Sequence, residues 1–130
     1  MKKSIFILLA AVLLVSFSSN AQSSKTMTRN ECQAFLESFC LKNYDSMFDR
    51  YFFKNSLIID NFRVLNENGY TCYEISGRHS FKNSSTHNDC EIRAKVIDKG
   101  YSKYEVTIKI QRYVGVVPTY WDYATRIFYY

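Results

Sequence analysis

Residues 104–112 read YEVTIKIQR. Tyr104, Val106, Ile108 and Ile110 alternate with Glu105, Thr107, Lys109 and Gln111. Side chains of a strand point to opposite faces in turn, so a period of two specifies a strand with one apolar and one wet face. A helix would scatter the same apolar residues around its circumference. Such a strand is not stable alone: it needs neighbours to pair with and a second layer to cover its apolar side.

The neighbours are legible on both sides. Residues 57–65 are β-rich, and "NENG" follows, where Asn68-Gly69 can adopt the positive φ angles of a tight hairpin. Residues 70–76 read as the next strand. At 90–98, Ile92, Ala94 and Val96 face one way and Glu91, Arg93 and Lys95 the other. "KGYS" is a turn, Pro118 interrupts, and 119–130 offers a last strand.

The covering layer comes earlier. Thr28 and Glu31 in "TRNE" form a capping box, and Cys32, Phe35, Leu36, Phe39 and Cys40 follow at helical spacing. "KNYDSMFDRYFF" predicts a break and a second short helix, capped by Asn43 or Asp45, that buries Met47, Phe48, Tyr51 and Phe52. The expected fold is α+β: one long or two short N-terminal helices packed on a curved antiparallel sheet of four to five strands. One domain is expected over 28–130, after a flexible tail at 22–27.

Residues 1–21 read as a cleavable signal peptide. Lys2 and Lys3 precede a short apolar run, and Ser19 and Ala21 stand before the expected cut. The run is too short for a membrane anchor. Export to a secreted or periplasmic location is expected, with no stable membrane insertion after cleavage. Removal of 21 residues from 130 leaves 109, with 15 basic and 12 acidic residues. That surplus is spread along the chain and does not point to nucleic acid. Cys32, Cys40, Cys72 and Cys90 all lie in the exported part, which predicts two disulfides. Cys32 and Cys40 cannot join on one unbroken helix, because eight residues rise about 12 Å. Bridging the helix to the sheet through Cys72 and Cys90 is favoured over a Cys72–Cys90 bridge between strands. Without C-x-x-C pairs or suitably spaced histidines, neither metal nor cofactor is expected.

The stretch "AFLESFCLKNYDSMFDRYFFKNSLIID" resembles the start of a nuclear transport factor two-like or cystatin-like domain, over residues 28–60. The resemblance implies a helix, a polar break, a second helix ("NYDSMFDRYF") and then a curved sheet wrapped around them. No third helix is visible between the early and late strands, which favours the simpler cystatin-like arrangement. The superfold hosts isomerases, dehydratases, carrier modules and domains without chemistry, so it does not fix a function.

No catalytic constellation stands out. His79 and His87 are the only imidazoles, and neither has a nucleophile and acid placed beside it. Asp60, after an apolar run, is the one candidate general base, and a strand-end aspartate is its simpler role. The aromatic content is the unusual feature: 10 Phe, 11 Tyr and 1 Trp, with the tyrosines gathered towards the late strands. Tyrosine suits half-buried strand positions and protein interfaces alike. In "TYWDYATRIFYY", Trp121, Tyr123 and Ile127 are expected inward, which leaves Tyr120, Asp122 and Arg126 outside as ligand-binding candidates. The leading functional reading is a non-catalytic module that holds a protein, peptide or small ligand on an aromatic sheet surface. An isomerase- or dehydratase-type pocket between helix and sheet is the second reading. An inhibitory or immunity-type partner of an exported protein is the third.

Overall fold

A computed structural model describes residues 25–80, 90–114 and 117–130, with only the backbone described between 112 and 119. The expected signal peptide at 1–21, His87 and most of the "GRHSFKNSSTHN" connection lie outside the described residues. One helix, α1 (Arg29–Phe48), packs on a five-stranded antiparallel sheet: β1 (Ile58–Glu67), β2 (Tyr70–His79), β3 (Cys90–Gly100), β4 (Lys103–Val114) and β5 (Val117–Tyr129). The strand order is β1-β2-β3-β4-β5, so each strand pairs with its neighbour in sequence. This is the α+β class expected, with five strands. No described helix is long and apolar enough to cross a membrane.

The capping box forms as expected: Thr28 Oγ1 accepts from Glu31 N–H, and Glu31 Oε1 accepts from Thr28 N–H. The break expected near Asn43 does not occur, and α1 runs on to Phe48. Tyr44 and Phe48 continue the buried stripe of Phe35, Leu36 and Phe39. Their burial outweighs the weak helix preference of Asn43 and Asp45. Asn43 does not cap a new helix. Its amide donates to Phe39 O at 3.1 Å, one turn back. Asp49, at φ 54°, ends the helix instead, and its N–H bonds Asp45 O. Phe52 is buried as expected, whereas Tyr51 is exposed and Met47 only half-buried.

The face of the sheet towards α1 is filled. Tyr73, Ile75, Ile92, Ala94, Val96, Val106, Ile108 and Ile110 meet Cys32, Phe35, Leu36, Phe39 and Phe48 in one core. At the β5 end, Phe35 lies edge-on to Tyr104, Phe128 and Tyr130, with ring centroids 4.8, 5.5 and 5.0 Å away. At the β1 end, the Arg29 guanidinium donates to Ile59 O and the Gln33 amide to Leu57 O. Met27, at the end of the expected tail, is tied down by its N–H to the Tyr73 hydroxyl at 2.9 Å.

Two hairpins carry positive φ at both turn residues. Asn68 and Gly69 have φ 53° and 83°, as their sequence predicts. Tyr101 and Ser102, at 55° and 62°, do the same with no glycine at either turn position. The β3 bulge before that turn is held by Gly100 N–H on Asp98 Oδ1 at 2.8 Å.

The expected disulfides are not formed: Cys32, Cys40, Cys72 and Cys90 are all buried and none is bridged to another. Cys32 and Cys40 sit on one continuous helix. Cys72 pairs with Ile97 and Cys90 with His79, so those two cysteines lie seven ladder positions apart, roughly 23 Å. Cys72 also alternates with the core residue Tyr73 and so points away from α1. Neither the strand-to-strand bridge nor a helix bridge to Cys72 fits this register.

Candidate functional site: the helix-free face of the sheet

The register assembles the second face row by row. Arg63, Glu74, Lys95, Thr107 and Thr125 lie directly across from one another on successive strands. Asn61, Ser76, Arg93, Lys109 and Tyr123 form the next row. The β1 to β4 members of both rows line an open depression of about 690 Å³ on the side away from α1, and Thr125 and Tyr123 lie next to it on β5.

Charge is distributed across this surface in pairs. Arg63 meets Glu74 at 2.7 Å, Lys95 meets Glu67 at 2.9 Å, and Arg93 meets Glu91 at 3.3 Å. All are solvent-exposed, so each contributes little to stability and can exchange partners. Arg93 also lies over the Trp121 ring, 4.6 Å from its centroid. Thr107 and Thr125 share a hydrogen bond at 2.8 Å. Tyr123 stands beside them, 69% exposed.

The facing of β5 is the reverse of the sequence expectation. Phe128 pairs with Tyr104 and Ala124 with Ile108, so the even-numbered residues share the α1 side. Trp121, Tyr123 and Ile127 therefore face away from the helix, and Ile127 is 47% exposed. The ladder with β4, which sets Tyr104 opposite Phe128 and Ile110 opposite Asp122, fixes this parity, whichever face carries more apolar residues. Tyr120, Asp122 and Arg126 lie on the α1 side of the edge strand, with Tyr120 and Arg126 exposed. They are thus separated from the depression by the strand itself.

Asp60 is exposed at the β1 bulge, where both its oxygens accept from Arg78 at 3.1 Å. His79 is fully buried on the opposite face. Its Nδ1–H donates to Cys90 O at 3.1 Å, which leaves Nε2 to accept the Tyr44 hydroxyl at 2.5 Å. Burial, with Arg50 nearby, pushes the His79 pKa down to about 4. The imidazole is neutral, and its ring is stacked against Phe52.

Arg93 and Lys109 escape a sequence reading as site residues because each looks like an ordinary wet-face residue. Only the β3–β4 register, which sets them opposite each other, gathers them. No protein-family model, curated protein or solved structure matches this chain. The fold itself is an α+β domain with one helix on a five-stranded antiparallel meander.

Proposed function

We propose that the protein is an exported, non-catalytic binding domain that holds a protein or peptide segment on the helix-free face of its sheet. The observation that carries this reading is the open depression lined by Arg93, which stacks on Trp121, with exposed Tyr123 opposite its lining residue Lys109. Arginine, tryptophan and tyrosine are the residues enriched where proteins meet. The mixed charges suit a polypeptide with both signs, since each surface ion pair can be exchanged for one across the interface. The rival pocket between helix and sheet has less support: aromatic rings occupy that space, Asp60 is engaged by Arg78 at the surface, and His79 is enclosed.

Two measurements test the reading. Expression of the full chain should yield an exported form whose mass lacks residues 1–21. Immobilised exported chain should cross-link to a defined partner from the same compartment, and Arg93→Glu with Trp121→Ala should abolish that cross-link while leaving the fold intact. Recovery of the same partner by wild type and variant would rule out this face.

A further inference from the structure

We propose that β5 pairs antiparallel with β5 of a second copy, joining two sheets into one of ten strands about a two-fold axis at Ala124. This inference stands independently of the binding reading. The two sheet edges are treated differently. At β1, a bulge interrupts the strand and α1 supplies hydrogen bonds to Ile59 O and Leu57 O. At β5, a long edge strand exposes Tyr120, Tyr123, Ile127 and Tyr129. A long apolar edge is a template for another strand.

The backbone direction of that edge is fixed. Tyr130 N–H bonds Ser102 O at 3.0 Å, so even-numbered residues of β5 turn their backbone groups to β4 and odd-numbered residues turn theirs outward. Two contacts agree with this. Tyr123 N–H donates to Asp122 Oδ1, and Arg126 Nη1 donates to Thr125 O, each at 3.0 Å. In the single chain, these side chains satisfy groups on the edge.

Self-pairing exchanges those contacts. With Ala124 opposite Ala124 of the second copy, Tyr123 and Thr125 exchange backbone hydrogen bonds across the seam. Asp122 then lies opposite Arg126 of the other copy, twice. Both pairs fall at non-hydrogen-bonded positions, where Cα atoms are about 4.5 Å apart and side chains are closest. Trp121 meets Ile127 on the other face. Charge selects this register: a slip of two residues per strand places Asp122 against Asp122 in one direction and Arg126 against Arg126 in the other. Charge complementarity therefore makes a second copy the fitting occupant of the edge.

Sedimentation of the exported chain should give a dimer at roughly 100 µM. Asp122→Arg and Arg126→Asp should each shift it to monomer, and the double exchange should restore the dimer with salt bridges reversed. Ala124→Cys should cross-link to itself under mild oxidation, whereas Tyr120→Cys should not. A monomeric wild type, single reversals that leave the dimer unchanged, or equal cross-linking at both positions would each overturn the proposal. Circular dichroism of each folded variant separates loss of pairing from loss of fold.

Discussion

Tyr44 and His79 meet at 2.5 Å between helix and sheet, with the tyrosine hydroxyl donating to Nε2 of a neutral imidazole. The Cys90 carbonyl on Nδ1 fixes that tautomer, so the arrangement has only one proton assignment.

Acid should therefore destabilise the fold through His79. Its pKa is lowered from 6.5 to about 4 in the folded state. Between these values the unfolded chain binds a proton that the folded chain does not, so stability falls as pH drops. The loss should approach about 3 kcal/mol near pH 4. Urea midpoints for wild type and His79→Gln measure it, and the variant should show a flatter dependence through this window.

Replacing Tyr44 with Phe removes the donor to Nε2 and keeps the ring. The unpaired buried nitrogen should cost about 1–3 kcal/mol. Equilibrium denaturation at neutral pH checks this, and an unchanged midpoint would show that the hydroxyl is dispensable.

The thiols should be unreactive until the chain opens. Burial pushes Cys32 up to about 12 and Cys40 higher still, so the thiolate is suppressed at neutral pH. Iodoacetamide should leave the native chain unmodified and alkylate all four cysteines in denaturant. Mass spectrometry distinguishes this from a disulfide-bonded chain, which would resist alkylation without reductant.

Gly77 has no room for a side chain, because an added Cβ would lie 2.1 Å from Ile58 O. Gly77→Ala should force β1 and β2 apart and lower stability by about 2 kcal/mol. Thermal melting would register the loss.

The Tyr101–Ser102 turn can be improved. Ser102 at φ 62° occupies the left-handed region that glycine enters without penalty. Ser102→Gly should stabilise the fold by about 1 kcal/mol, seen as a raised melting temperature.

The strands and the capping box are legible in the sequence because each rests on local chemistry: alternation, turn residues and Thr28 with Glu31. The continuation of α1 is not, because Asn43 and Asp45 look like a break until Tyr44 and Phe48 are known to be buried. The facing of β5 is hidden for a related reason. Apolar count favours Trp121, Tyr123 and Ile127 as the inward set, whereas the register with β4 sets the parity. The candidate surface depends on cross-strand rows, which no single strand contains.

The strictly sequential strand order sets a schedule for folding. Each hairpin can close as soon as its second strand is available, since adjacent strands are neighbours in the chain. The contact of Phe35 with Phe128 and Tyr130 obeys a different clock, because it joins the first described element to the last. A chain emerging from its N-terminus must hold α1 without that partner until the final residues arrive. Clipping before Phe128 would leave the hairpins able to form and the helix without its aromatic latch.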